Sequence, residues 1–279
     1  MTLVQDKSSV LSNNSNLNRN DSPELLQQLQ ELKHLMKDDE NLKDFIEFFD
    51  DDFLLAFIKG KKLDLGKAYT TLVNFIDIRR RKYRHIFKPL VPSKNASLNA
   101  GILRILKNRD HRNRFVLVNR TWKWNCKQVS ADDTNAMFML IMDEYFRVDC
   151  HKTEGLVGIF DMFGFSMDHV REATPNKVYQ LIDLLWKNVP VRYTALHIVN
   201  TGFFMNCLLK IVHPFLPKKV RERLIIHSND LASLHAHIPK EILPESLGGP
   251  IIEEEAFDIN FEQRIRNKEE YYQKFSEKL

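Results

Sequence analysis

The stretch "GLVGIFDM", residues 155–162, decides the fold. It is apolar from Leu156 to Phe160 and closes on the carboxylate of Asp161. A strand with one wet face alternates apolar and polar residues, whereas a continuous apolar run is buried on both faces. "RFVLVNR" (114–120), "ALHIVN" (195–200) and "ERLIIH" (222–227) have the same character. Between these strands lie helical segments: "SADDTNAMFMLIMDEYF" (130–146), "TPNKVYQLIDLLWKNVP" (174–190) and "TGFFMNCLLKIV" (201–212). In the second, Thr174 caps, Pro175 opens and Pro190 closes the helix. Buried strands alternating with helices predict an α/β domain whose sheet is mostly parallel and covered by helices.

The chain before this domain reads as helices. Ser22-Pro23 is an N-cap followed by proline at the first helical position, and Leu25, Leu26, Leu29, Leu32 and Leu35 follow. A second helix starts near Asp51-Asp52, carries "FLLAFIKG" and stops at Gly60. A third follows Asp64, with Ala68, Leu72, Phe75 and Ile76 on its apolar side, and runs into "RRRKYRHIF" before Pro89.

The segment from Thr201 to Leu224, "TGFFMNCLLKIVHPFLPKKVRERL", poses a separate question. Asn206, Lys210 and His213 form one narrow polar stripe on an otherwise apolar helix. One apolar face of such a helix turns to a core or ligand and the other to solvent, a partner or a membrane, unless the helix is buried on most sides in a large core. It is too short for a transmembrane span, which needs about 20 residues. Lys218, Lys219, Arg221 and Arg223 follow directly.

The 279 residues carry a net charge of +4, so a general nucleic-acid binder is not expected and any basic function is local. Three cysteines at no metal-site or disulfide spacing fit a reducing cytoplasm. Residues 1–22 are Ser- and Asn-rich, which predicts a disordered leader without a secretory signal. With Thr2 where glycine would be required, myristoylation is not expected. Neither a phosphate-binding glycine loop nor a G-x-S-x-G elbow is present. His227, His235 and His237 cluster near Asp230, but structural hydrogen bonding is favoured there over a metal or catalytic role. Asp161 has no catalytic partner in sequence, so it too reads as structural. No catalytic residue, metal site or cofactor is expected.

The residues from "GIFDM" to "ILPESLGG" resemble the CRAL-TRIO lipid-binding family, in the branch of the tocopherol transfer proteins, retinaldehyde-binding proteins and clavesins. The marks are "IFDM" with "TP" downstream, "PVRYTALHIVN", "KIVHPFLPKKVRERL", "HSNDLASLH" and "ILPESLGG", and upstream "DDDFLLAFIKGKKLDL". The resemblance covers about residues 24–255 and implies a helical module (23–95), a lipid-binding α/β domain (96–255) and a C-terminal tail (256–279). It departs from the family pattern at Ala56, Gly60 and Pro217.

What the resemblance implies is a non-enzymatic lipid carrier. Its cavity would be lined by Phe138, Met142, Leu156, Phe160, Leu181, Leu184, Leu185, Val189 and Leu196. A gating helix at about 202–212 would add Phe204, Leu208 and Ile211. Arg79, Arg192, Lys219 and Arg223 match family cations that contact phosphoinositide headgroups. The implied ligand is a hydrophobic lipid, tocopherol-, retinoid- or isoprenoid-like. The implied partner is a phosphoinositide-containing membrane, met transiently from the cytoplasm at endosomes or other intracellular membranes. A phosphoinositide-binding trafficking adaptor and an enzyme acting on a hydrophobic substrate stand as alternatives.

Overall fold

The computed structural model describes residues 22–186, 188–213 and 216–279; residues 1–21 of the predicted leader and the side chains of His151, Trp186 and Ile211 lie outside the described residues. The helical module begins as its caps dictate. Ser22 Oγ accepts from the Leu25 amide at 3.3 Å and starts α1 (Pro23–Asp38). Asp50 accepts from Phe53 N at 2.8 Å ahead of α2 (Asp51–Gly60), and Asp64 from Lys67 N at 3.0 Å ahead of α3 (Leu65–Asp77). Each satisfies a backbone donor that a helix start leaves orphaned.

The sheet has five strands in sequential order: β1 (Leu103–Ile105), β2 (Phe115–Arg120), β3 (Leu156–Asp161), β4 (Tyr193–Val199) and β5 (Leu224–Ser228). β1 is antiparallel to β2 and the remaining pairs are parallel. α4 (Ala131–Val148), α5 (Pro175–Trp186) and α6 (Phe203–Val212) make the parallel crossovers. Such crossovers are right-handed, so a sequential strand order sends all three helices to one face. On that face lie two registered rows, Leu103–Asn119–Phe160–Ile198 and Leu117–Gly158–Leu196–Leu224. Val116, Val118, Val157, Ile159, Ala195 and Val199 point the other way. They pack under Leu234, Ile238, Leu243, Leu247 and Phe257 of the segment that follows β5.

The helical module is welded to the sheet domain. Phe53, Phe57 and Phe75 form a ring cluster with Phe146 of α4, and Phe57 lies 6.0 Å from Phe146. Gly60 is needed for a close approach: a Cβ there would sit 2.4 Å from the Pro190 carbonyl oxygen. Residues 256–279, expected as a C-terminal tail, fold into α7 (Ile259–Arg266) and α8 (Glu269–Lys278). Their apolar side chains Phe261, Ile265, Tyr272 and Phe275 fall at helical intervals and are buried. Phe275 packs on Phe45 and Phe48 with ring centroids 5.4 and 5.1 Å away.

Candidate ligand cavity and basic edge

Between the helix-covered face of the sheet and α4, α5 and α6 lies a cavity of about 280 Å³. Three helices present the same pattern to it. α4 offers Ala131, Thr134, Asn135 and Phe138; α5 offers Val178, Leu181, Ile182 and Leu185; α6 offers Met205, Leu208, Leu209 and Val212. Each set is spaced i, i+3, i+4, i+7, one face of a helix. Leu117, Gly158, Phe160, Leu196 and Ile198 form the floor. At Gly158 a Cβ would come within 3.1 Å of both Leu196 and Phe160, so glycine keeps the floor low.

Of the cavity residues expected from sequence, Phe138, Phe160, Leu181, Leu185, Leu196 and Leu208 stand in this wall. Met142, Leu156, Leu184 and Val189 are placed in the main core, between 0% and 2% exposed. Phe204 is half-buried, with its ring 5.7 Å from that of Phe203. On α6 the inward row is set by Met205 and Leu209, while Phe203 is 76% exposed and Cys207 is exposed. The two apolar faces read from the sequence are therefore both present. Met205, Leu209, Val178, Ile182 and the polar Asn119 and Asn135 were missed. The helical spacing of the apolar ones was the available signal.

The expected cations separate into two groups. Arg79 is interior. It follows α3 in a π turn (Ile78–Lys82) closed by the Tyr83 amide donating to Ile78 O at 2.8 Å. Its guanidinium stacks 3.3 Å over the Phe75 ring and donates to the Asp143 carboxylate at 2.9 Å. At 1% exposure it cannot meet a headgroup as placed, which corrects the expectation; burial pushes its pKa down and Asp143 opposes that shift. The other three reach the surface where β4 and β5 begin. Arg192 precedes β4 and is exposed, Lys219 is exposed on the turn Lys218–Arg221, and half-buried Arg223 donates to Lys219 O at 3.1 Å. Lys61, at the end of α2, joins them. Burial, and then the positive charge of Lys219, hold its pKa below the ordinary lysine value. The "KGKK" run at 59–62 was the sequence signal for it.

The remaining candidates are held in hydrogen bonds. Asp161 accepts from Asn200 Nδ2 at 2.7 Å and from the Phe163 amide at 3.0 Å. His227 lies 2.9 Å from His197 and 2.7 Å from Ser233, and His235 lies 2.9 Å from Leu247 O. Among the described residues no group of three acidic, His or Cys side chains is placed to hold a metal ion. No helix among them is long and apolar enough to cross a membrane.

Comparison with known proteins agrees with this architecture. Residues 99–249, over half the chain, match the family model of the CRAL/TRIO domain. The chain belongs to the CRAL/TRIO domain family. Among curated proteins it is 31% identical over 201 residues to mouse alpha-tocopherol transfer protein-like, a match spanning 72% of this chain and 58% of that protein. It is 29% identical over 202 residues to human clavesin-2, spanning 72% of this chain and 62% of that one. The CRAL/TRIO chain thus covers less than two thirds of the length of these relatives. Among solved structures, the crystal structure of Sfh5 aligns at 15% identity with a TM-score of 0.55. That alignment covers 90% of this chain and 98% of Sfh5 and speaks to the fold alone.

Proposed function

We propose that this CRAL/TRIO protein carries one hydrophobic lipid in the cavity beneath α6 and exchanges it at anionic, phosphoinositide-containing membranes. The observation that carries the reading is the apolar cavity roofed by a helix whose outer face is itself apolar at Phe203. A lipid burying about 400 Å² of apolar surface gains roughly 10 kcal/mol before ordering costs. Release therefore requires an opening step that finds another home for the apolar surface of α6, and a bilayer supplies one. The basic edge supports docking. Burial lowers the Lys61 pKa first and the charge of Lys219 adds to it, and an anionic headgroup among Lys61, Lys219, Arg223 and Arg192 would offset both.

The ligand class implied by the family resemblance is tocopherol-, retinoid- or isoprenoid-like, the first of these named in a relative, and the proposed setting is cytoplasmic with transient membrane contact. Mass spectrometry of an organic extract of the purified protein, against an unrelated protein from the same cells, tests the cargo. Transfer between donor and acceptor vesicles tests the exchange. Lipid transfer stimulated by phosphoinositide is the expected result. Phosphoinositide-dependent vesicle binding without transfer would favour a trafficking adaptor instead.

A further inference from the structure

The cavity wall is not uniformly apolar, and its polar members gather at one end. In a parallel sheet the strands end at one common edge, and the helix after each strand starts there. Asn119 is the penultimate residue of β2, and Asn135 lies near the start of α4. Thr134 and Lys177 lie in the first turns of α4 and α5 at the same edge. Leu185, Leu196, Leu216, Val220 and Leu224 line the opposite end.

Asn135 stands out among these groups. It is 5% exposed, yet its side-chain amide has no hydrogen-bond partner among the described residues, and it lines the cavity. Thr134, its neighbour, is satisfied by donating to Ser130 O at 3.3 Å. Asn119 is half-buried on the floor; its Oδ1 accepts from Thr121 Oγ1 at a long 3.5 Å and its amide NH₂ has no protein acceptor among the described residues. An amide that faces an apolar cavity gains from a polar partner placed there, and the cavity is the open space that both side chains line.

We propose that Asn135, assisted by Asn119, recognises an uncharged oxygen function, a hydroxyl or carbonyl, on one end of the lipid. The bound lipid is then a neutral single-headed amphiphile whose apolar body runs toward Leu185 and Leu224. This rests on the reading of the cavity as a lipid site and adds the chemistry of its head. A primary amide offers two donors and an acceptor, so it serves either a hydroxyl or a carbonyl. A carboxylate head fits poorly. Lys177, the one cation in the wall among the described residues, is already paired with Asp132, and Glu172 adds a negative charge. The polar end also lies at the sheet edge opposite Arg192, Lys219 and Arg223, so head recognition inside and headgroup docking outside are separate functions of the molecule.

The test uses the full chain and a set of probes sharing one alkyl body. Binding of the hydrocarbon probe diphenylhexatriene reports the cavity itself. Its displacement by 1-hexadecanol, hexadecane and hexadecanoate reports the head. Wild-type protein should prefer hexadecanol to hexadecane by about tenfold, the size of one hydrogen bond in an apolar site. Asn135→Leu should erase that preference while diphenylhexatriene binding persists, and Asn135→Ala guards against a packing defect particular to leucine. Equal affinity of the wild type for alcohol and hydrocarbon, a preference for hexadecanoate, or an unchanged preference in both variants would overturn the assignment. Failure of wild-type protein to bind diphenylhexatriene would remove the lipid cavity itself, a different result from losing head selectivity.

Discussion

The Arg79 guanidinium meets the Asp143 carboxylate at 2.9 Å inside the protein, with the two residues 1% and 6% exposed. The pair joins the turn after α3 to α4 and is steadied by Phe75 beneath the cation. Removing one member takes the nearest counter-charge from a buried ion, although Tyr272 still donates to Asp143 and Phe75 O still accepts from Arg79, and such losses cost about 3–5 kcal/mol. Asp143→Ala or Arg79→Ala should therefore lower the urea midpoint substantially. Replacing both with apolar residues should recover much of the loss. At the same time, vesicle binding by the folded Arg79→Met, Asp143→Leu protein should match the wild type. A specific loss of phosphoinositide binding in that double variant would return Arg79 to the headgroup site.

Leu184 and Leu185 are adjacent but belong to different environments. Leu184 is 0% exposed in the main core, while Leu185 is in the cavity wall. Leu184→Ala should cost about 2–5 kcal/mol of stability and leave ligand exchange near normal. Leu185→Asp should abolish ligand retention, because a carboxylate facing an apolar cavity has no compensation. Circular dichroism alongside a retention assay separates the two effects, and the opposite pairing of outcomes would reassign the wall.

The sheet was legible because the signal for β2, β3, β4 and β5 is local: short apolar runs, each followed by a helical segment. β1 has only three residues and gains its identity from pairing with β2, which no local pattern encodes. The cavity was half legible. Phe138, Leu181 and Leu185 already sat on helical faces, but which of two apolar faces turns inward is decided by packing. On α6 the choice fell to Met205, Leu208 and Leu209. Arg79 was misread for a related reason. In "IRRRK" all the cations look alike, and only the π turn and the carboxylate of Asp143, 64 residues further on, bring the first of them indoors.

If α6 is the gate, weakening its inner face should speed exchange. Met205→Ser with Leu208→Ser removes apolar contacts to Met162 and Ile198 and to the cargo. Ligand off-rates, measured by transfer to excess vesicles, should rise severalfold while the sheet keeps its thermal transition. Off-rates that do not move would make α6 a fixed part of the core.

On the basic edge, Lys219→Ala with Arg223→Ala should spare retention of the lipid, since both lie outside the cavity. Each cation near an anionic surface contributes about 1 kcal/mol, so co-sedimentation with phosphoinositide vesicles should weaken by roughly tenfold to thirtyfold. Adding Arg192→Ala or Lys61→Ala should weaken it further, and raised salt should shrink every difference. Undiminished, headgroup-dependent binding by the quadruple variant would clear these residues of the role.

The far face of the sheet sets an acid limit on the fold. His197 is 1% exposed beneath the β5 segment, 2.9 Å from His227 and with its ring 5.3 Å from that of His237. Burial, then the neighbouring His227 and His237, lower its pKa from 6.5 to about 3, and burial also lowers that of His227. The unfolded chain therefore binds protons that the folded chain refuses. Above the ordinary histidine value this has no effect, and as pH falls below it the unfolded state gains. For His197 alone the loss is about 2 kcal/mol near pH 5, and it grows until the folded pKa is reached. Urea unfolding at a series of pH values should show stability declining through this window. His197→Gln should flatten the decline, because the substituted side chain does not titrate. A wild-type stability that stays level from neutral pH down to about pH 5 would mean that His197 keeps a near-ordinary pKa, and that the histidine cluster admits water or charge.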